Sequence, residues 1–301
     1  MGRAARSSGG SRQSAPSMVV QMARMKQDAL RGGQIPHDLG LMPDTLVMPT
    51  GKNLPGWFGM GSRTGTAPGT GTGTGAQGGW RRRLRLEGRR WRTRASDLFQ
   101  LLLYKFLMVK PRPNLEYARI PAIAQALHEE VYTHFAAGTL ARIESKLCEG
   151  FLGSLRRRIA VRAPGTGLKW KVHEYLDAPR CVSCKAAYFP AQPGEVKTER
   201  NGVLQAVVRI RSLQSLRRTK RVTVRDGENR LVVREVVVDA LGNEEVGGRQ
   251  EEGRVPRDAK ESVEYFVVQK SLRAGKQSEW MVWGTTEETK VGELLKEKTR
   301  V

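Results

Sequence analysis

The side chains that could ligate a metal or pair as nucleophile and base are four histidines (His37, His128, His134, His173) and three cysteines (Cys148, Cys181, Cys184). Their spacing serves neither chemistry. His128-Glu129 with His134 mimics a zinc-protease helix motif, but six residues set the imidazoles about 120° apart around a helix, where one shared face is needed. Cys181-x-x-Cys184 has no second pair, and on a regular strand an i, i+3 spacing sends the two thiols to opposite faces, as small core residues. No Ser/His/acid order can be assembled from so few histidines. Glu264 and Asp177 have no evident partner, and the strand faces offer Trp, Val, Tyr and Phe where an enzyme needs a carboxylate or His. Gly73, Gly75 and Gly78 match GxGxxG, yet the dinucleotide fingerprint requires a strand before it and a helix after it, and the Gly/Thr tract supplies neither. Gly-Lys-Ser/Thr follows neither this tract nor Pro164-Gly165-Thr166-Gly167. The sequence therefore predicts no catalytic residue, no cofactor and no metal.

Cation is what the chain has in excess. Lys+Arg 52 against Asp+Glu 30 gives a formal net charge of +22, a field that favours phosphate backbones or anionic lipid. No window reaches the roughly 18 uninterrupted apolar residues of a membrane-spanning helix, which excludes a polytopic membrane protein. Three unevenly spaced cysteines suit a reducing compartment.

The charge is most concentrated at Trp80 to Arg94, where eight Arg (Arg81, Arg82, Arg83, Arg85, Arg89, Arg90, Arg92, Arg94) meet one acid, Glu87. Wound at 100° per residue, Trp80, Leu84, Trp91, Leu98 and Leu102 fall in one narrow stripe with most of the Arg elsewhere. Such a basic amphipathic helix can lie among anionic headgroups with Trp and Leu inserted, or set its Arg on rRNA phosphates. Two further clusters are candidates for RNA phosphate: Arg156, Arg157 and Arg158 on a helix, and Arg217, Arg218, Lys220 and Arg221 on a strand. The alternative for each cluster is a solvated surface.

The elements that must position these residues follow from local signals. Residues 1–34 are Arg- and Ser-rich and free of acid before Asp28, the composition of an organelle transit peptide, here read as a mitochondrial presequence, with a plain disordered basic tail as the alternative. Residues 35–79 read as an extended arm, Pro/Gly-punctuated with scattered large apolar side chains, followed by a Gly/Thr linker. Residues 80–110 form the basic amphipathic segment. Residues 111–301 form the folded domain. Helical spacing runs from Ile120 to Ala137 and again from Leu140 to Ile159, where Gly150 and Gly153 are expected to break it into two short helices. After Gly167 the period becomes two. Strands are predicted at Leu168–Val172, Cys181–Phe189, Ala206–Ile210, Val222–Arg225, Leu231–Asp239, Ser262–Gln269 and Glu279–Thr285, with a turn at Asp226-Gly227. Residues 241–260 read as a flexible insertion and Lys290–Lys298 as a closing helix. Helices followed by consecutive strands on short connections predict an α+β fold with an antiparallel sheet.

Four segments carry a resemblance. Tyr117-Ala-Arg-Ile-Pro-Ala-Ile-Ala, Ala206-Val-Val-Arg-Ile-Arg-Ser-Leu-Gln-Ser, Val263-Glu-Tyr-Phe-Val-Val-Gln-Lys and Glu279-Trp-Met-Val-Trp-Gly, in this order, resemble the domain of the mitochondrial import-motor scaffold. The arm Leu39-Gly-Leu-Met-Pro-Asp-Thr-Leu-Val-Met-Pro ahead of a basic helix is similar to the ribosomal branch of that superfamily, the family of mitochondrial large-subunit ribosomal protein forty-five and its fungal relative, the membrane-associated ribosome receptor. The resemblance covers about Leu39 to Met60 and Trp80 onward, through patterns of apolar and aromatic residues. The Gly/Thr linker and the 241–260 loop have no counterpart in it.

The resemblance implies a curved antiparallel sheet with N-terminal helices on its concave face, a cystatin/NTF2-like cone. It further implies a non-enzymatic component or receptor of the mitochondrial large subunit near the polypeptide exit, on the matrix face of the inner membrane. Its partners would be large-subunit rRNA, neighbouring ribosomal proteins, anionic lipid and the membrane insertase. The alternatives are a scaffold subunit of the import motor itself, or a small-ligand binder or isomerase, since cones of this kind also host enzymes.

Overall fold

The computed structural model describes residues 40–42, 45–50, 79–108, 112–163, 165–188, 201–225, 231–238, 259–273 and 276–290. The expected presequence, the Gly/Thr tract, the insertion up to residue 258 and the closing helix from residue 291 lie outside them, as do the side chains of Trp80, Arg81, Arg82 and Arg221.

Helix α1 spans Gly79–Leu103 and ends in a wider π turn, Tyr104–Met108. Helix α2, Ile120–Ala137, has Pro in its first turn, where the missing N–H is no loss, and stops at Gly138. Gly138 adopts φ 74°, which a β-carbon would disfavour. Its N–H donates to Phe135 O, and Thr139 N–H donates to His134 O. Two single 3-10 turns, Leu140–Arg142 and Glu144–Lys146, lead into α3, Glu149–Ala160. Gly150 and Gly153 lie inside α3 and do not break it. The interruption falls earlier, where Leu147 bridges Val282 and Cys148 N–H donates to Val282 O at 2.9 Å. A tertiary contact to the sheet thus ends the first helical stretch.

The sheet has seven antiparallel strands: β1 Thr166–Tyr175, β2 Arg180–Tyr188, β3 Gly202–Arg225, β4 Leu231–Val238, β5 Lys260–Arg273, β6 Lys276–Gln277 and β7 Met281–Thr286. Strand β3 is its spine. Along one edge β1 and then β2 pair with it, from Thr166↔Lys220 to Tyr188↔Gly202. Along the other run β5 and β4, from Leu272↔Gly202 to Leu231↔Arg225, and β7 pairs outside β5. The runs expected separately at Ala206–Ile210 and Val222–Arg225 are therefore one strand. Between them polar residues predominate on both faces, with one leucine on each (Leu213 and Leu216), so the period-two signal vanishes while pairing to β1, β5 and β4 maintains the strand.

Alternation along β3 sends Leu204, Ala206, Val208 and Ile210 to the concave, helix-covered face, where they meet Phe266 and Val268 of β5, Ile120, Ala124, Leu127 and Val131 of α2, and Leu152 and Leu155 of α3. Each large side chain buried there contributes about 1.5–3 kcal/mol relative to exposure. The outer face is covered by the arm. Leu41 and Val47 pack on Val207, Tyr265 and Val267. Gln205 clamps the arm from both sides, accepting from Met42 N–H at 2.7 Å and donating to Gly40 O at 3.0 Å. Thr289 N–H donates to Val47 O at 2.9 Å.

Candidate functional site

Helix α1 lies across β2 and presents two different faces. Inward, Leu86 (1% exposed) packs on Met48 of the arm, and Leu101 joins the main core. Tyr104 lies so close over Gly202 that a β-carbon there would approach its ring and hydroxyl to 2.6 Å, so only glycine fits. Asp97 pins the helix: its Oδ2 accepts from Ser183 Oγ at 2.9 Å and its Oδ1 lies 3.9 Å from Lys185 Nζ. Burial raises the Asp97 pKa despite both partners.

Outward, the stripe expected from the helical period is open to solvent. Trp91 is 70% exposed, Leu84 48%, Leu98 53% and Leu102 55%, and Phe99, Phe106 and Leu107 widen the patch toward the C-terminal end. On the wheel Arg85, Arg89 and Arg92 fall to one side of the stripe, and Arg83, Arg90 and Arg94 to the other. Glu87 lies 3.5 Å from both Arg83 Nε and Arg90 NH1. An apolar ridge with Arg85, Arg89 and Arg92 along one side, while Arg83, Arg90 and Arg94 turn toward the arm, suits a helix lying in a headgroup layer. No helix among the described residues is long and apolar enough to cross a membrane.

The structure separates the RNA candidates. On α3, Arg156 pairs with Glu144 at 2.9 Å, Arg157 Nε donates to Gly153 O, and Arg158 is exposed. Arg217, Arg218 and Lys220 lie on β3 where β1 and β4 flank it, while α3 packs on β7 across the sheet. Strand alternation divides this cluster: Arg217 shares a face with Lys169, its register partner, and Arg218 and Lys220 share the other.

Two expectations are corrected. Cys181 and Cys184 do not point to opposite faces, because the β2–β3 register shifts between Cys181 and Ser183. This bulge adds one residue and restores both thiols to the helix-covered side, where Cys184 is core and Cys181 packs against it. Nor does Glu264 lack partners. Its Oε2 accepts from Tyr132 OH at 2.8 Å and His128 Nε2 at 3.3 Å; its Oε1 accepts from Gln214 Nε2 at 2.9 Å and Ser262 Oγ at 3.0 Å. Asp177 likewise lies 3.3 Å from both Arg209 and Arg211. A carboxylate and a His do sit under the sheet, then, but four donors fill the carboxylate's lone-pair directions. Burial alone would raise the Glu264 pKa; the bonds from His128, Tyr132 and Gln214 outweigh it and hold the group at about 2. A carboxylate so low and so fully bonded is a poor proton acceptor. Among the described residues no three His, Cys, Asp or Glu side chains converge as metal ligands.

Sequence reasoning missed this polar cluster and the inward role of Asp97. The available signal for Asp97 was a lone carboxylate four residues before a core leucine.

The fold and the site define an α+β protein with an open, curved antiparallel sheet and a cationic helix bearing an exposed apolar ridge. No protein-family model and no curated protein matches the chain.

Proposed function

We propose that this chain is a non-enzymatic component of, or receptor for, the mitochondrial large ribosomal subunit, held near the polypeptide exit on the matrix face of the inner membrane. In this role α1 lies on anionic lipid while Arg158, Arg217, Arg218 and Lys220 reach rRNA phosphate. The observation that carries the reading is the outward ridge of Leu84, Trp91, Leu98 and Leu102 beside Arg85, Arg89 and Arg92, on a helix whose opposite face is docked to the fold. RNA phosphate rewards the arginines but not a continuous apolar ridge, whereas a bilayer rewards both. The ribosomal assignment draws on the four resembling segments and the basic charge.

Trp91→Ala with Leu98→Ala tests the reading. Desolvating two such side chains is worth about 1.5 kcal/mol or more each, so binding to cardiolipin-containing liposomes falls at least about ten-fold while sedimentation with the large subunit persists. Loss of the ribosome with lipid binding retained would reassign the helix to rRNA. Co-sedimentation with the inner-membrane translocase in place of the large subunit, in low and high salt, would favour an import-motor role. For the RNA contacts, Arg158→Gln or Arg218→Gln flattens the salt dependence of ribosome binding by about one log-log unit each.

A further inference from the structure

A cavity of about 250 Å3 opens on the outer side of the sheet, between the arm, the inner flank of α1 and strands β2 and β3. We propose that it is a binding site for a small phosphomonoester, whose phosphate is held by Arg94, Arg180 and Arg209 and whose body lies along the arm. The apolar ridge of α1, on which the membrane reading rests, points away from this cavity, although Arg90 and Arg94 of the same helix line it.

Four guanidiniums, Arg90, Arg94, Arg180 and Arg209, line this one space. The acids nearby are already engaged. Glu87 is shared between Arg83 and Arg90, and Asp177 between Arg209 and Arg211. Asp97, also in the wall, is taken up by Ser183 and Lys185. Glu288, behind Tyr265, accepts from the Tyr265 hydroxyl at 2.7 Å and from Thr50. Among the described residues neither Arg94 nor Arg180 forms an ion pair, and the buried Nε of Arg209 has no hydrogen-bond partner. Among the described residues Arg94 and Arg180 border this concavity without an acid of their own, and together with the unpartnered Nε of Arg209 they call for an anion from outside the chain. Arginines bordering one cavity offer forked donors that suit the tetrahedral oxygens of phosphate. The rest of the wall is different in kind: Leu46, Met48 and Val182 are apolar and Tyr265 offers a ring. A bare phosphate leaves that part unfilled, so the ligand carries an apolar or aromatic body. The volume is near the lower end of small-molecule clefts.

Two sources present this chemistry, a soluble mononucleotide and the headgroup of a phosphatidic acid, and titration calorimetry on the full chain separates them. The probes are AMP against adenosine, and dihexanoyl phosphatidic acid against dihexanoylglycerol. The variants are Arg180→Gln with Arg209→Gln, which removes charge without touching α1, and Thr93→Phe, which fills the cavity without changing charge. Arg94→Gln, at an exposed position, replaces the charge variant, and Thr93→Leu the neutral block, if the circular dichroism of either departs from that of the wild type. The expected result is saturable binding of at least one phosphorylated probe, none of its dephosphorylated counterpart, and affinity at least ten-fold lower in both variants. The arm that binds identifies the source. Failure of both phosphorylated probes, or wild-type affinity in either variant, overturns the proposal, the latter because attraction to a +22 chain in general would survive a neutral block.

Discussion

The two sides of the sheet handle charge in opposite ways. Under the concave face a single carboxylate, Glu264, is met by four donors from α2, β3 and β5, and Trp170 Nε1 adds a second tier by donating to Gln214 Oε1 at 3.0 Å. Behind the outer face, among the described residues, Arg94 and Arg180 line a cavity without forming an ion pair. In the first arrangement the carboxylate is fully met within the chain, so disturbing it should register as lost stability. The second is incomplete, so disturbing it should register in binding and hardly in folding.

The sharpest way to break the comparison is to delete the inner anion. Glu264→Ala leaves Tyr132, Gln214 and Ser262 without their acceptor under the helices and is expected to destabilise by about 3–5 kcal/mol. Urea denaturation followed by circular dichroism measures it, and a value under 1 kcal/mol would show that the cluster is hydrated rather than structural. The same group gives the acid limb its shape. Its folded pKa, about 2, lies below the ordinary glutamate value of 4.5. The stabilisation is therefore complete above about pH 4.5 and lost as pH falls toward 2, in all about 3 kcal/mol. Wild type should lose stability over that window more steeply than Glu264→Gln; parallel curves would assign the acid limb to other carboxylates.

How much of this was legible in the sequence depends on the distance over which each feature is decided. Helix α2 was legible because its limits are local: Pro121 at one end, Gly138 at the other, apolar residues at helical spacing between. The Glu264 cluster was not, since Gln214, Tyr132 and His128 lie 50, 132 and 136 residues away along the chain. The bulge that aligns Cys181 with Cys184 was hidden for another reason. It is a slip in pairing against β3, and Val182 at that place carries no glycine-like signature. For α1 the period gave the outward stripe but not the face that docks, because Leu86 and Leu101 inside are the same residue type as Leu84 and Leu98 outside.

That ambiguity supplies the next comparison, within one helix. Leu101, 4% exposed, touches the main core, and Leu98, 53% exposed, does not. Leu101→Ala should cost about 2 kcal/mol or more, through lost transfer energy and the space left behind, while Leu98→Ala stays within about 0.5 kcal/mol. Equal losses would mean that the outward ridge is covered by another part of the chain, and would remove the surface on which the membrane reading depends.

The smallest effect tests the outer side alone. If Arg180 sits among cations with no acid of its own, its charge opposes folding slightly, so Arg180→Gln should leave the protein as stable or raise it by a few tenths of a kcal/mol. The sign is what matters, because an arginine that held the fold through an ion pair would show the opposite. Salt supplies the control. Raising ionic strength from 0.05 to about 0.5 M shortens the Debye length to a few ångströms and should erase the difference between variant and wild type. A phosphate-bearing ligand should reverse the order altogether, stabilising wild type by mass action and Arg180→Gln much less. Thermal unfolding at two salt concentrations, with and without AMP, reads all three comparisons from one set of curves. A variant less stable than wild type at low salt without ligand would place Arg180 among the structural charges and end the contrast between the two sides of the sheet.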